Sequence, residues 1–220
     1  IFAMGGSQAW GSGAASSRET YDALLEQLLL AEDLPVEVLN AGINGAGIIR
    51  VSATFQGLIA GLSPDVLLLT VGLNDSAALG SLRTEAQREA HREILLEHFR
   101  SLLEFCRQQG VDVVLSLEAM SFETALRPDP ALYGGLEALA RAYGFTALNT
   151  LEYMRGLEPG HLLWWDPAHL APQGHQRYAQ FLREPMAARV RERLTQPSEK
   201  RVDEGRRALT DRNQPADEQE

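Results

Sequence analysis

The strongest constraint on the fold is the alternation of short apolar runs with longer amphipathic segments along most of the chain. The runs are four to seven residues long and rich in Val, Leu and Ile. Most of them lack polar alternation, as is typical of strands buried on both faces. They occupy residues 1–4, 36–39, 66–71, 111–117 and 145–148. Strands that alternate with helices in this way predict a parallel sheet covered by helices on both faces.

Four segments between and after these runs show the three- and four-residue apolar spacing of an amphipathic helix. They cover residues 21–30, 84–109, 132–143 and 172–194. Gly110 and Gly144 follow two of the segments, as glycine often does where a helix ends. Pro185 lies inside the last segment, and we expect it to kink or divide that helix.

The predicted fold class is therefore α/β, with a layer of helices on each side of a central sheet. Right-handed crossovers between five parallel strands favour the flavodoxin-like strand order 2-1-3-4-5. In sheets of this kind, ligands bind in the crevice at the carboxyl ends of the strands. The residues that directly follow each apolar run are thus the first candidates for a functional site.

Composition restricts the partners that such a chain can have. The formal net charge is -10 at pH 7, which argues against nucleic acid because phosphate binding needs clustered Lys and Arg. No stretch approaches the roughly 20 apolar residues of a membrane span. Cys106 is the single cysteine. It falls on the apolar face of a predicted helix, where we expect a small buried hydrophobe.

Two glycine-rich loops follow the first two runs. The first loop carries Gly5, Gly6 and Ser7, so the Ser7 hydroxyl and N–H are expected to face the crevice near a helix start. The second, at residues 40–47, carries Gly42, which has no side chain to obstruct its N–H. The alternatives are loops that only cap a helix or complete a turn. A phosphate-binding loop is disfavoured because no Gly-Lys-Ser/Thr follows.

Polar groups also occur after the third run and near the C-terminus. Asn74, just after the third run, has a side-chain amide that can donate two hydrogens without carrying charge. The alternative is a helix N-cap, which Asn74 and Asp75 both favour. Asp166 and His169 are three residues apart. On a tight turn the carboxylate can therefore accept from one imidazole nitrogen and leave the other as a base facing Ser7. The alternative is a local Asp–His pair that only stabilises the turn.

Together these residues supply what acyl transfer requires. The required parts are a hydroxyl nucleophile, a base, an orienting carboxylate and neutral donors for an oxyanion. The histidines that we expect to be structural or solvated are His91, His98, His161 and His175. Trp164 and Trp165 precede the Asp–His turn. Either one of them lines a pocket or they pack over the sheet edge, and we favour packing.

These motifs resemble those of the SGNH, or GDSL-type, hydrolase family. The first block, usually Gly-Asp-Ser, reads Gly-Gly-Ser at residues 5–7. The glycine of the second block matches Gly42. Gly-x-Asn-Asp and Asp-x-x-His match residues 72–75 and 166–169. The resemblance covers roughly residues 1–183 in the family's order. We interpret the glycine in place of aspartate as the mark of a subgroup, not of lost activity.

The resemblance implies a three-layer α/β/α fold and the hydrolysis of carboxylic esters. It implies that Ser7 is the nucleophile, His169 the general base and Asp166 the residue that orients the base. The implied oxyanion hole consists of the Ser7 N–H, the Gly42 N–H and the Asn74 side chain. No metal or cofactor is implied, and the expected partner is a small-molecule or carbohydrate ester.

Three functions stay open for such a site. The first is a serine esterase that hydrolyses short-acyl esters through an acyl-enzyme on Ser7, with carbohydrate O-acetyl groups as one candidate substrate. The second is an acyltransferase that passes the acyl group to a sugar hydroxyl. The third is a glycan-binding domain without catalytic activity. The sequence does not distinguish these, nor does it indicate the oligomeric state.

The two ends of the chain differ from its middle. We expect residues 1–194 to form the catalytic domain. Of the 26 residues at 195–220, 12 are charged, which predicts a disordered tail. The chain starts at Ile1 inside an apolar run without an initiator Met, which we interpret as the start of a fragment. A signal peptide or a membrane anchor upstream is compatible with this interpretation, so the compartment stays open.

Overall fold

The computed structural model describes residues 1–121, 127–157 and 162–195 and contains a five-stranded parallel sheet. Its strands are β1 (Phe2–Gly5), β2 (Leu39–Asn40), β3 (Val66–Val71), β4 (Asp112–Leu117) and β5 (Thr146–Leu148). The spatial order is β2-β1-β3-β4-β5, and each neighbouring pair is parallel. The predicted fold class and the predicted 2-1-3-4-5 order are therefore confirmed.

Within the described residues, eight α-helices connect and cover these strands. They are α1 (Ser7–Trp10), α2 (Tyr21–Leu30), α3 (Ile48–Gly57), α4 (Leu73–Gly80), α5 (Glu85–Gln108), α6 (Pro130–Ala142), α7 (Thr150–Gly156) and α8 (Pro172–Thr195). Thr84 and Gln87 form a capping box at the start of α5. The Asp129 side chain caps α6 by accepting the Leu132 N–H at 2.7 Å. Such side chains satisfy N–H groups that have no partner inside the first helical turn.

The sheet separates two apolar cores. Because successive strand side chains point to opposite faces, Phe2 and Met4 of β1 enter one core, whereas Ala3 enters the other. Phe99 of α5 belongs to the first core and Leu182 of α8 to the second. Fully burying one such large side chain contributes about 1.5–3 kcal/mol. Helices α3 to α6 thus cover one face and α2, α7 and α8 the other, as a three-layer fold requires.

Strand β2 is shorter than its prediction. The apolar run covers residues 36–39, but pairing with β1 begins only at Leu39. The N–H groups that precede it bond elsewhere, since the Val38 N–H donates to Glu26 Oε2 at 2.6 Å. A backbone N–H that is already satisfied by a side chain does not enter a sheet ladder. The edge strand therefore starts late and leads directly into the glycine-rich loop.

A kink or a division of the last helix was expected at Pro185. Helix α8 is not divided there. The helix is continuous from Pro172 to Thr195. Leu182 before the proline and Met186 after it are both fully buried in the same core. Packing on both sides offsets the backbone hydrogen bond that the proline removes.

Two helices beside the site are not evident from the sequence. Helix α3 begins after Gly47 and α4 after Gly72, and at both places the glycines indicate a loop. Helix α3 also contains several β-branched residues, which lower helix propensity. Tertiary packing of Val51 and Phe55, both fully buried, outweighs this local preference.

His175 anchors the start of α8, in agreement with its expected structural role. Its Nδ1 accepts the Tyr21 N–H at 3.2 Å, and its Nε2 lies 3.4 Å from the Ser12 carbonyl oxygen. The side chain is fully buried, and burial lowers its pKa to about 4. The neutral ring therefore ties the loop after α1 to both α2 and α8.

The remaining expectations concern Cys106, membrane-spanning helices and the end of the chain. Cys106 is fully buried, and burial raises its pKa to about 12, as expected for a small core residue. None of the helices in the described ranges is long and apolar enough to cross a membrane. His161 and the tail at residues 196–220 lie outside the described residues.

Candidate active site

The junction of β1 and α1 places Ser7 at the carboxyl edge of the sheet. Gly5 ends β1, Gly6 is the N-cap of α1, and Ser7 is the first residue of this short helix. A Cβ at Gly6 would lie 2.5 Å from Asn74 Nδ2 and 3.2 Å from Glu118 Oε1. A side chain at residue 6 would therefore have to displace the Asn74 amide. Glycine, in place of the usual aspartate of the Gly-Asp-Ser motif, leaves this space to Asn74.

Asp166 shapes the turn that carries His169. Its Oδ1 accepts the N–H groups of Ala168 and His169 at 2.8 and 2.9 Å, a local arrangement that Asp favours in turns. The Trp165 N–H donates to the His169 carbonyl oxygen at 2.8 Å and closes the turn. The turn thereby fixes the imidazole relative to the carboxylate.

The hydroxyl, the imidazole and the carboxylate form one hydrogen-bonded chain. His169 Nε2 lies 2.9 Å from Ser7 Oγ, and His169 Nδ1 lies 2.7 Å from Asp166 Oδ2. An ionised carboxylate only accepts hydrogen bonds. We therefore assign the ring proton to Nδ1, which leaves Nε2 to accept the Ser7 hydroxyl proton. The structure brings the three predicted residues together in the order that proton removal from the serine requires.

The Asp166 carboxylate keeps its charge while staying in contact with solvent. Desolvation alone raises its pKa, but hydrogen bonds from the His169 ring and from the backbone N–H groups of Ala168 and His169 outweigh this effect. The pKa therefore lies below its ordinary value. The side chain is 40% exposed. Because water can also solvate the carboxylate and the imidazolium, we expect catalysis to depend less on Asp166 than on a fully buried aspartate.

Asn74 reaches the same edge from the start of α4. Gly72 is the N-cap of this helix, so neither Asn74 nor Asp75 has the capping role that was the alternative. Asn74 Nδ2 donates to the Ala46 carbonyl oxygen at 3.0 Å. The same atom lies 2.5 Å from the point that a Cβ on Gly6 would occupy. The amide is therefore packed against the residue that precedes Ser7.

The Gly42 N–H is already hydrogen-bonded within the protein, whereas its predicted role requires an N–H that is open to the substrate. Its N–H donates to Asn40 Oδ1 at 3.0 Å. A Cβ at Gly42 would lie 2.2 Å from the Trp10 nitrogen, so only glycine fits against α1. Asn40 Nδ2 also donates to the Ala9 carbonyl oxygen at 2.7 Å. These contacts explain Gly42 as a packing residue, and its part in an oxyanion hole stays a prediction.

Gly45, a second glycine of this loop, has open space around it, which a backbone N–H needs if it is to donate to a bound substrate. Gly45 has a φ of +72°, in the region that favours glycine, and a Cβ there would meet no atom within 4 Å. The next residue, Ala46, accepts the hydrogen bond of Asn74 Nδ2. Gly45 is thus a better-placed candidate than Gly42 for an N–H that acts beside Asn74. The sequence alone offers no basis for choosing between two glycines in one loop.

Gln8 connects the two halves of the site and is not evident from the sequence. Its buried side chain donates through Nε2 to the Ala119 carbonyl oxygen at 2.6 Å and to the Ala168 carbonyl oxygen at 2.7 Å. Ala168 belongs to the Asp–His turn, and Gln8 directly follows Ser7. The amide therefore holds α1 against the turn. Its two partners are 111 and 160 positions away, so no local signal reveals the contact.

The aromatic and histidine side chains near these motifs differ in their exposure to solvent. Trp164 is half-buried and packs against the second core, whereas Trp165 is 73% exposed. His91 is half-buried and His98 is exposed, both on α5. The favoured packing role thus fits Trp164, while Trp165 is open to solvent directly before Asp166.

Comparison with known proteins assigns the chain to a family. The model of the GDSL-like lipase/acylhydrolase family matches residues 3–177. This range includes the candidate residues Ser7, Asn74, Asp166 and His169. The chain therefore belongs to this family and is an ester hydrolase. No curated protein matches it.

Solved structures from three bacteria are similar to this one. A catalytic mutant of Axe2, an acetylxylan esterase from Geobacillus stearothermophilus, has a TM-score of 0.66 and 21% identity over 83% of this chain and 92% of its own. A GDSL-like lipase from Parabacteroides merdae has a TM-score of 0.68 and 19% identity over 86% of this chain and 95% of its own. A lipolytic protein of the G-D-S-L family from Desulfitobacterium hafniense has a TM-score of 0.65 and 14% identity over 83% of this chain and 96% of its own. At these identities the likeness shows the fold.

Proposed function

We propose that this protein is a serine esterase that forms a covalent acyl-enzyme on Ser7. One observation carries the proposal. Ser7 Oγ is hydrogen-bonded to His169, and His169 to Asp166, over 2.9 and 2.7 Å. A serine hydroxyl is a weak nucleophile unless a positioned base takes its proton. The hydrogen-bonded chain supplies that base and orients it.

The first half-reaction acylates the serine. His169 Nε2 takes the hydroxyl proton while Ser7 Oγ attacks the ester carbonyl carbon. The carbonyl oxygen becomes an oxyanion. Its proposed donors are the Ser7 N–H, Asn74 Nδ2 and a glycine N–H of the loop at residues 41–47. Of the two Asn74 Nδ2 hydrogens, one is donated to Ala46 and the other is left for the oxyanion. The imidazolium then protonates the leaving alcohol as its C–O bond breaks.

The second half-reaction releases the acid. His169 removes a proton from a water molecule, whose oxygen attacks the acyl carbon bound to Ser7. The same donors stabilise the second oxyanion. Its collapse breaks the bond to Ser7 Oγ, which takes back the proton from His169. The products are a carboxylic acid and the free enzyme.

Short-acyl esters, including carbohydrate O-acetyl esters, are the proposed substrates. The similar fold of an acetylxylan esterase supports this choice. The Trp165 ring supports it as well, since it is 73% exposed and belongs to the residue directly before Asp166. Tryptophan is enriched among the residues that anchor binding interfaces. Packing of a sugar face against this ring would bring an attached ester towards Ser7.

Hydrolysis of p-nitrophenyl esters of increasing acyl length tests the proposed activity. We expect turnover of the acetate ester, a lower kcat/KM for long acyl chains, and release of acetate from acetylated xylo-oligosaccharides. Transfer of the acetyl group to an added sugar in preference to water would identify an acyltransferase. Glycan affinity without turnover of any ester would identify a glycan-binding domain and contradict the proposal.

Replacing Gln8 by methionine tests whether the two halves of the site are held together as described. Methionine has a similar length but donates no hydrogen bond, so the carbonyl groups of Ala119 and Ala168 lose their donor. We expect kcat to fall about 10- to 100-fold with little change in KM, because small displacements of catalytic groups have effects of this size. Gln27→Met, at an exposed position of α2, is the matched control. An unchanged kcat in folded Gln8→Met protein would contradict the role of Gln8.

A further inference from the structure

A buried carboxyl group lies beside Gly6, the residue that precedes Ser7. Glu118 follows β4 and is 1% exposed. Its Oε2 accepts the Leu73 N–H, at the start of α4, over 2.8 Å. Its Oε1 has no hydrogen-bond partner among the residues that the structure describes. A buried oxygen without a partner is costly, so this carboxyl group calls for an explanation.

The Glu118 carboxyl is close to the proposed oxyanion donors. Its Oε1 lies 3.2 Å from the point that a Cβ on Gly6 would occupy, and Asn74 Nδ2 lies 2.5 Å from the same point. Gly6 and Ser7 share the peptide group whose N–H is a proposed oxyanion donor. Glu118 Oε2 binds the residue just before Asn74. The carboxyl group therefore contacts the backbone that positions both donors.

The groups that face Glu118 come from four helices. Asp75 of α4 is the charged group that acts on it. Tyr133 of α6 donates its hydroxyl to the Glu118 carbonyl oxygen at 2.8 Å. Tyr178 of α8 and Tyr21 of α2 interact with Glu118 electrostatically. Burial raises the pKa values of all three tyrosines, so these hydroxyls stay neutral in mild alkali.

Burial favours the uncharged form of the Glu118 carboxyl group at neutral pH. Burial raises its pKa to about 8, against the lowering effect of the Leu73 N–H and with a further rise from the negative Asp75. In the neutral acid the proton belongs on Oε1, because Oε2 is the acceptor for Leu73.

We propose, given the serine esterase activity argued above, that Glu118 is a positioning residue for the oxyanion hole and works only in its uncharged form. The neutral acid holds the Leu73 N–H and thereby the Asn74 amide beside Gly6. The ionised form places a negative charge beside the backbone of Gly6 and Leu73, next to the proposed oxyanion donors. In a buried site the repulsion between two such charges is weakly screened, so ionisation opposes the step that the donors promote.

The pH dependence of kcat/KM tests the inference. For the wild-type protein we expect a loss of about tenfold per pH unit above pH 8, as for inactivation by one ionisation. In Glu118→Gln the amide oxygen still accepts the Leu73 N–H, and the side chain has no charge to gain. We therefore expect the ratio of kcat/KM at about pH 9.5 to that at about pH 7 to rise at least tenfold over the wild-type ratio.

Two further variants separate position from charge. Glu118→Met removes the acceptor for Leu73, so we expect a lower kcat throughout the pH range with KM little changed. Glutamine, which keeps the acceptor, should restore kcat relative to methionine. Asp75→Asn removes the negative charge that raises the Glu118 pKa, so the alkaline loss should begin at a lower pH than in the wild type.

The outcomes distinguish this inference from the proposed function. An active wild type whose alkaline loss persists unchanged in Glu118→Gln overturns the inference and leaves the esterase intact. A wild type without ester turnover overturns the esterase proposal and the catalytic part of this inference with it.

In that case the pH dependence of stability, measured by urea unfolding, still shows whether Glu118 is charged in the folded protein. The folded Glu118 holds its proton to a higher pH than the unfolded chain, so wild-type stability should fall relative to Glu118→Gln between pH 4.5 and about 8. A constant difference means that Glu118 is charged in the folded protein and overturns the premise.

Discussion

Replacing Ser7 by alanine is expected to lower kcat for ester hydrolysis about 10⁶-fold, the order of the loss seen when a serine protease loses its nucleophile. The acyl-enzyme cannot form without Oγ. The remaining donors retain only the catalysis that comes from binding and oxyanion stabilisation. The Ser7 hydroxyl bonds to His169 Nε2, and alanine fits the same space, so we expect the fold to be unchanged. Steady-state kinetics and thermal unfolding of the purified variant measure both quantities.

The matched control for this change is Ser17→Ala, in the exposed loop before α2. It should retain the wild-type kcat. A Ser7→Ala protein that keeps more than about 1% of the wild-type kcat would show that catalysis does not pass through an acyl-enzyme at this serine.

Asp166→Asn is expected to lower kcat about 10³-fold with little change in KM. The asparagine oxygen can still accept the N–H groups of Ala168 and His169, so the turn is preserved. Its amide then faces His169 Nδ1 and favours the tautomer in which Nε2 carries the proton and cannot accept the one from Ser7. Such a change costs about 10⁴-fold in serine proteases. We expect a smaller loss because the Asp166 side chain is 40% exposed.

Asp33→Asn, at an exposed position after α2, is the matched control and should have wild-type kinetics. The double variant Ser7→Ala/Asp166→Asn provides a sharper test. Groups that act as one unit are strongly non-additive, so the double variant should be no slower than Ser7→Ala. Full activity in folded Asp166→Asn protein would contradict the orienting role of the carboxylate.

The fold was predictable because most of its strands are recognisable from their own apolar sequence. The run at residues 66–71 is apolar throughout and becomes the central strand β3 with the same bounds. The weakest prediction is the edge strand β2, where the Glu26 side chain takes a backbone N–H from the sheet. Such competition depends on a partner in another element and has no local pattern. Helices α3 and α4 were hidden for a related reason, since their glycine N-caps resemble loop residues.

The site was predictable to the extent that its residues follow strand ends. Ser7 and Asn74 lie at the carboxyl edge because they follow β1 and β3, and a parallel sheet brings these strand ends to one side. The Asp166–His169 turn comes between α7 and α8 and follows no strand, so its Asp-x-x-His spacing indicated it. The supporting contacts of the site were not predictable. The Gln8 amide and the Glu118 carboxyl are buried polar groups whose partners are set by tertiary packing. Their sequence positions alone resemble ordinary loop or strand-end residues.

Covalent labelling by a fluorophosphonate, with the modified residue located by peptide mass spectrometry, is the most direct measurement of the central claim. That claim is that the fold makes the hydroxyl of residue 7 a nucleophile through His169. The account predicts a single adduct on Ser7 in the folded protein, absent in Ser7→Ala and formed far more slowly in Asp166→Asn. An adduct on another residue, or none on the folded wild type, would contradict it.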